Sequence, residues 1–447
     1  MTSSEKQQTD RRAHRVIVMT RYPEPGKTKT RLIPALGPDR AAALHRCLIT
    51  RTLNVSLQLI KASDVEVEVQ YTGGSKDQFR TAFGTTPCYV LQSDGSLGER
   101  MQSAMAAAFA EGAARVVVIG TDCPALDVSH LTQAFEQLAG TDVVIGPATD
   151  GGYYLIGTRR HLPQLFEGID WGTECVLQQT LRRAAELNVT VSQLSPLSDV
   201  DFAEDLIQCR RIDRNFEAAL PQVVPGRISI VIPTLNEAAT ITATLQKLQG
   251  LPDVEVIVAD GGSDDQTIEL AHSFGVTVVA CNRGRGQQMN AGGALASGEI
   301  LLFLHADTQL PLNFADDVRQ ALKTGVGGAF RLSIDANGWL LRLVEFGANM
   351  RSRWRQLPYG DQAIFVPAAV FFQLNGFRHI PLMEDYDFCH RLRRLGKVTI
   401  VNPPITTSAR RWQKLGVLRT TLTNLACVIA FRLGVSPQTL SNWYRRR

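Results

Sequence analysis

Short apolar runs rich in Val and Ile, each broken off by a glycine or a carboxylate, recur along the whole chain and constrain the fold more than any other feature. RVIVM (15–19), VEVEVQ (65–70), RVVVIGTD (115–122) and DVVIGPATD (142–150) fall in the first half. RISIVI (227–232), VEVIVADGG (254–262), VTVVA (276–280) and EILLFLHAD (299–307) fall in the second. Runs of this length and composition read as strands, and helical patterns lie between them. That alternation gives mostly parallel sheets covered by helices on both faces. Ligands of such sheets bind beyond the carboxyl ends of the strands. The polar residues closing each run are therefore the candidates for chemistry, and several are aspartates.

The pattern begins twice, at 15 and again at 227, and Pro221, Pro225 and Gly226 interrupt regular structure just before the second start. A chain of 447 residues exceeds one ordinary core. We expect domains at 14–215 and 227–447 joined by a linker at 216–226. A hydrophobic share of 44% with 20% charge excludes a disordered chain. The eight cysteines stand singly without a Cys-x-x-Cys pair, which removes the usual zinc and redox motifs and favours a reducing, cytoplasmic setting. The polar start MTSSEKQQTDRRAHR has no apolar core of an export signal.

A net charge of +4 hides an asymmetry. Residues 342–447 carry 15 Arg and 2 Lys against 5 acidic side chains, so that this end is +12 and the rest −8. Such an end suits phosphate, whether in a diphosphate, a nucleic acid or an anionic membrane surface. Nucleic acid is disfavoured, because the arginines lack interleaved stacking aromatics and a recognition-helix signature. Leu415, Leu418, Leu422, Leu425, Ile429 and Leu433 recur at helical spacing in a stretch too polar to span a bilayer. The plainer reading packs this stripe against the domain. The other is peripheral contact with the inner face of a membrane through 414–433.

In the second half, strand 228–232 runs into Pro233, Thr234, Leu235, Asn236 and Glu237, and strand 254–259 into Asp260, Gly261, Gly262 and Ser263. Carboxylates and amides at strand ends supply acceptors for a base edge and ribose hydroxyls, and glycines admit close backbone approach. Either turn alone is also what a helix cap looks like. The third strand adds His305, Ala306 and Asp307 to the same edge. Asp307, with His305 as the second candidate ligand, suits Mg2+ or Mn2+, which neutralises a departing diphosphate. Arg283 and Arg285, in a glycine-rich loop, suit its phosphate oxygens. Asp361 and Gln362 precede an apolar strand on the expected acceptor side, and Glu384 and Asp385 precede a helix. Asp385 is the candidate base for an acceptor hydroxyl, with Glu384 beside it; ordinary first-turn helix carboxylates are the competing reading.

The order strand-PTLNE, strand-DGGSDD, GRGQQ, strand-HAD, GDQ and ED-helix resembles the family 2 glycosyltransferases of the GT-A fold over roughly 227–410. The resemblance implies an α/β nucleotide-diphospho-sugar transferase domain, a nucleotide-sugar donor (UDP first among the candidates), and a small-molecule or lipid acceptor. It also implies that Pro233, Asn236, Glu237 and Asp260 hold the nucleoside, that Asp307 holds the metal and that Asp385 is the base of an inverting transfer. Many relatives have Asp-x-Asp where this chain has His305-Ala306-Asp307. In detail the half is similar to the radical-SAM/selenodomain-associated transferase 2 group, linked by name to arsenosugar biosynthesis.

In the first half, PGKTKT (25–30) ends like a Walker loop, but the earlier glycine is absent because position 21 is Arg. What remains is a basic loop whose Lys27, Lys29 and Arg31 suit a diphosphate or triphosphate, or form an exposed turn without a ligand. Asp122, Asp150 and Asp201 close later segments and are candidate metal or substrate ligands, each also readable as a turn or cap. KTRL, GTDCPAL and PATDGGYYLIG resemble the selenodomain-associated transferase 1 group over 14–215. That implies a second Rossmann-like GT-A domain in tandem, either another glycosyltransferase or a sugar-phosphate nucleotidyltransferase. A nucleotidyltransferase with a degenerate second domain is the alternative for the whole chain.

Overall fold

The computed structural model describes residues 14–62 and 64–445 and divides into two compact units, Met1–Asp201 and Phe202–Arg447. The polar residues before 14 lie outside the described part. The division falls earlier than the expected 215, and the reason is local to the second unit. The helix Leu206–Ile212 packs on the helix Arg285–Leu295. Arg210 donates from Nε to the carbonyl of Ala294 (3.0 Å) and from Nη2 to that of Pro221 (2.7 Å). Residues 202–220 are thus tied to the second core.

In the first unit, seven strands are described: β1 (His14–Arg21), β2 (Val65–Thr72), β3 (Cys88–Leu91), β4 (Val116–Ile119), β5 (Val143–Pro147), β6 (Tyr153–Thr158) and β7 (Val191–Gln193). They form one sheet in the order β3-β2-β1-β4-β6-β5-β7. All neighbours run parallel except β6, which is antiparallel to β4 and β5. Val16 and Val18 face one apolar layer and Ile17 the other, which is why the central strand reads as an unbroken apolar run. The helix Leu97–Ala110 starts at a reciprocal cap: Ser96 Oγ accepts from the Glu99 amide and Glu99 Oε2 from the Ser96 amide.

The second unit holds β8 (Val224–Thr234), β9 (Val254–Asp260), β10 (Thr277–Ala280), β11 (Gly298–Phe303), β12 (Thr308–Gln309), β13 (Gly327–Asp335), β14 (Phe365–Pro367) and β15 (Val398–Ser408). Their order is β10-β9-β8-β11-β14-β13-β15-β12, with β14 reversed against β11 and β13, and β12 reversed against β15. Ile228, Ile230 and Ile232 point into the main core. On the other face the helix Arg285–Leu295 lies against the sheet so closely that a Cβ at Gly292 would come within 2.4 Å of Val231, which leaves room for glycine alone. Both sheets have the mostly parallel α/β architecture expected.

The leucine stripe does not pack as the plainer reading expected. It lies on the helix Val417–Arg432 and its flanks. Leu415, Leu418, Leu422, Leu425, Ile429 and Leu433 are 38%, 63%, 64%, 55%, 50% and 80% exposed. Thr420 and Cys427 are the helix's buried residues. A periodic stripe marks one face of a helix, and here that face points outward.

Candidate active site

The carboxyl ends of β8, β9 and β11 lie side by side, with Thr234 opposite Asp260 and Val231 opposite Phe303. Asn236 takes a left-handed φ of 57°, which asparagine tolerates, and the backbone beyond it is stitched to the second turn. The Asn236 amide donates to Ser263 Oγ (2.9 Å), that of Glu237 to Thr267 Oγ1 (2.8 Å), and Asn236 Oδ1 accepts from the Asp264 amide (3.0 Å). Asp260 was expected to touch a nucleoside. It is instead 1% exposed and saturated. Its Oδ1 accepts from the amides of Gly262 (2.9 Å) and Ser263 (2.8 Å), and its Oδ2 from Thr234 Oγ1 (2.9 Å) and Ser263 Oγ (2.5 Å). Asp260 therefore shapes the turn. Gln288, reaching over Gly261, donates to the carbonyls of Thr234 (2.6 Å) and Ala259 (3.1 Å) and fixes the two strand ends together. Pro233 lies half-buried at the end of β8.

Glu237 and Asp307 are joined through a residue the sequence did not single out. Arg410 Nη2 lies 3.0 Å from Glu237 Oε2 and 3.3 Å from Asp307 Oδ2. The two carboxylates hold its guanidinium more firmly charged than usual. Its signal was the strand-end rule itself: β15 stops at Ser408, whose amide donates to the Asp307 carbonyl (3.2 Å), and Arg410 follows.

Asp307 faces a cavity of about 250 Å³, also lined by Arg285, His305, Asp361, Glu384, Asp385, Tyr359 and Trp412. The catalytic and metal candidates, Asp361 and Arg285 are thus gathered on one cavity, whereas the nucleoside candidates Pro233, Asn236, Glu237, Asp260, Gly261 and Ser263 lie outside its lining, as do Arg283 and Gln362. Arg283 is exposed. Gln362 is buried, donating to the Phe330 carbonyl (2.9 Å) and accepting from Ser352 Oγ (2.6 Å), so it braces the loop beneath Asp361.

Met383, at φ 73°, turns the chain into the helix Glu384–Leu395 and sets Glu384 and Asp385 in its first turn, where the helix dipole favours negative charge. Asp385 Oδ2 accepts from the Gly360 amide at 2.6 Å. A Cβ at Gly360 would lie 3.2 Å from both Asp385 Oδ2 and His305 Nε2. His305 Nε2 is enclosed without a hydrogen-bond partner, and burial, aided by Arg285, drops this imidazole to about 3, so it is neutral. Burial likewise lifts Asp361 to about 6 against the pull of Arg351, with Asp385 adding to the rise. Glu384 is raised by burial and by Asp385, against Arg285 at 3.6 Å. Behind the cavity, Asn290 Oδ1 accepts from the Phe377 amide and Nδ2 donates to its carbonyl, both at 2.8 Å. This double bond of side chain to backbone clamps the helix that begins at Arg285 to the segment leading into Glu384.

In the first unit, the basic loop and the strand-end aspartates find one another. Lys29, expected to meet phosphate, is 6% exposed in its side chain, with Nζ 2.7 Å from Asp122 Oδ1, 3.2 Å from Asp201 Oδ1 and 2.8 Å from the Val200 carbonyl. Burial works against its charge, but Asp122 and Asp201 outweigh it and hold the ammonium above its usual range. Arg31 pairs with Asp201 (3.1 Å), and Lys27 pairs with Glu24 (2.8 Å) on the surface. Asp150 Oδ1 caps its own turn through the Gly152 amide (2.9 Å). Arg31, Asp150 and Asp201 line a cavity of about 420 Å³ with Asp199, Tyr153 and Trp171. Asp199 is lifted to about 7 by burial, and its Oδ1 accepts from Cys123 Sγ (2.5 Å).

Each unit is thus built on a mostly parallel sheet with one reversed inner strand, β6 in the first and β14 in the second, and carries polar turns at the carboxyl ends of its strands. Residues 229–362, within the second unit, match the family described as Glycosyl transferase family 2. Residues 52–173 match the family described as Uncharacterized protein conserved in bacteria (DUF2064). A PGL/p-HBAD biosynthesis glycosyltransferase of Mycobacterium bovis is 41% identical over 91 residues, 18% of this chain and 36% of the relative. The chain therefore spans well under half the length of that curated relative. A crystal structure from Desulfovibrio desulfuricans, provisionally described as a nucleotide-diphospho-sugar transferase, is 35% identical, with 45% of this chain and 89% of that one covered and a TM-score of 0.42. Glucosyl-3-phosphoglycerate synthase of Mycobacterium tuberculosis, solved with Mn2+, uridine diphosphate and glucosyl-3-phosphoglycerate, is 24% identical over 44% of this chain and 78% of its own, at a TM-score of 0.34.

Proposed function

We propose that the second unit transfers a glycosyl group from a nucleoside diphosphate sugar to an acceptor hydroxyl with inversion, and that uridine diphosphate is the carrier to test first. One observation carries this reading: Asp385, Asp307 and Arg285 line a single cavity at the carboxyl edge of the sheet. The acceptor O–H gives its proton to the Asp385 carboxylate as its oxygen bonds to the anomeric carbon. The bond from that carbon to the diphosphate breaks, and its electron pair leaves with the nucleoside diphosphate. Arg285 faces the departing phosphates. The Gly360 amide, bonded to Asp385 Oδ2, holds the base in place.

A divalent cation fits this donor set. Among the described residues no group of three or more His, Cys, Asp or Glu is arranged to hold a metal. Mg2+ or Mn2+ on a diphosphate needs only one or two protein carboxylates, since phosphate and water oxygens complete its shell. Asp307 is the residue we assign to it, and when bound the ion neutralises the leaving diphosphate. His305, the other metal candidate, has its Nε2 at the Gly360–Asp385 junction, and we place it on the acceptor side with Asp361. The turns of Pro233, Asn236, Glu237 and Ser263 then receive the nucleoside beside Arg410.

For the first unit we propose a nucleotidyltransferase-like role, supported by its like fold and its carboxylate-lined cavity. Within the same reading, the two halves are the fused pair of selenodomain-associated groups. Pyrophosphate release from a nucleoside triphosphate and a sugar 1-phosphate tests the first unit. For the second, melting temperature is measured with UDP-, GDP- and CDP-sugars and Mn2+, because a ligand of the native state raises it. A carrier that binds identifies the donor, and no rise with any of them, or unchanged turnover in both Asp307→Asn and Asp385→Asn, defeats the proposal.

A further inference from the structure

We propose that the acceptor is a membrane amphiphile with an anionic head, whose chain lies in an apolar groove opening from the catalytic cavity and which the protein takes directly from an anionic membrane surface. The inference rests on the glycosyl-transfer reading and adds the acceptor's class to it.

The groove, about 310 Å³, runs between the helices Trp339–Arg355 and Val417–Arg432, with Leu340, Leu343 and Val344 on one wall and Leu418, Leu425 and Val428 on the other. At its inner end Tyr359, Asp361, Tyr386 and Trp412 belong to both groove and catalytic cavity. A sugar or other polar acceptor gains nothing from such walls, whereas an acyl or isoprenoid chain loses its contact with water there. Two arginines stand where chain gives way to head. Arg351 stacks over the Tyr359 ring at 3.5 Å, and Arg432 Nε donates to Tyr386 Oη at 2.5 Å.

The outer faces of the same helices supply the surface contact. Besides Leu415, Leu422, Ile429 and Leu433 of the stripe, Trp339 (75%), Phe346 (61%) and Trp354 (78%) are exposed, several large apolar side chains left open on two neighbouring helices. Tryptophan at such a rim suits a membrane interface. Across 338–355 and 412–433 the charged residues are six Arg and one Lys against Glu345 alone. An excess of one sign is complementary to anionic headgroups. A twofold dimer through this face would set that charge against its own copy, since both partners use the same patch.

The test uses the full chain, vesicles of phosphatidylcholine with and without phosphatidylglycerol, and dodecyl phosphate below its micelle concentration. The protein should sediment with the anionic vesicles and be released by salt, and dodecyl phosphate, but not inorganic phosphate, should raise its melting temperature. Phe346→Glu with Leu422→Glu, both at exposed positions, should weaken vesicle binding about tenfold or more while nucleotide binding stays intact. Gly347→Phe, at a groove position where a Cβ meets open space, should abolish the dodecyl phosphate effect alone. Wild-type protein that binds nucleotide but ignores both lipid probes overturns the inference. So does a solution dimer that Leu422→Glu dissociates. Vesicle binding without any nucleotide binding removes the acceptor assignment by removing the glycosyl-transfer reading beneath it.

Discussion

Replacing Asp361 with Asn is expected to make the second unit more stable while impairing turnover. In the unfolded chain this carboxyl ionises near 3.8, and in the cavity only near 6, chiefly because burial disfavours its charge. Between those values the native state keeps a proton the unfolded state has lost, so stability falls as pH rises through the window. Each unit of displacement is worth about 1.4 kcal/mol, so Asp361 costs the fold at most about 3 kcal/mol at pH 8 and only about 0.5 kcal/mol at pH 4. Asparagine has nearly the same shape and no charge to desolvate. For a unit of this size the gain corresponds to about 5–10 °C in the melting temperature at pH 8, nearly vanishing at pH 4. Calorimetry of both proteins across that range measures the difference. A gap that does not grow with pH, or a variant less stable at pH 8, would refute an uncompensated carboxyl at this position.

Asp385→Asn should lower turnover by about 10²- to 10⁴-fold with nucleotide affinity unchanged, followed as nucleoside diphosphate release; equal loss of affinity would argue against its role as the base. Arg410→Gln should tighten Mn2+ binding in the absence of nucleotide by about two- to fivefold, since a half-exposed ion pair worth up to about 1 kcal/mol no longer competes for Asp307. Spin-resonance titration of free Mn2+ gives the number, and weaker binding would show that Arg410 helps the cation. Lys29→Met should cost the first unit about 2 kcal/mol, less than for a fully buried pair because Asp122 and Asp201 keep 45% and 35% side-chain exposure. Urea unfolding of the variant is the check, and an unchanged midpoint would mean that the ammonium is dispensable.

The parallel parts of both sheets were legible because β1, β4, β8, β9 and β11 are buried strands whose apolar runs stop at polar turns. The reversals at β6 and β14 were not, since direction within a sheet leaves no local pattern. For the same reason the edge that gathers Asp307 and Asp385 could be anticipated, while the use made of each carboxylate could not. Asp260 looked available because nothing in DGGS shows that its own turn fills both oxygens. Lys29 and Asp201 were each singled out, yet their pairing spans 172 residues. Arg410 meets Glu237 across 173, a distance over which spacing carries no information. The stripe at 415–433 gave the right periodicity without telling whether the face is buried, because an apolar face is equally periodic whether it packs on the domain or stays exposed.

The clamp made by Asn290 joins two functions in one mechanical piece. Arg285 starts the helix that carries Asn290, and the Phe377 backbone that it grips leads into Glu384 and Asp385. If Arg285 faces the leaving group and Asp385 is the base, as proposed, the clamp ties the position of one to that of the other. A truncation such as Asn290→Ala would uncouple them, and its signature would be wasted donor: sugar released to water at a rate that no longer depends on the acceptor.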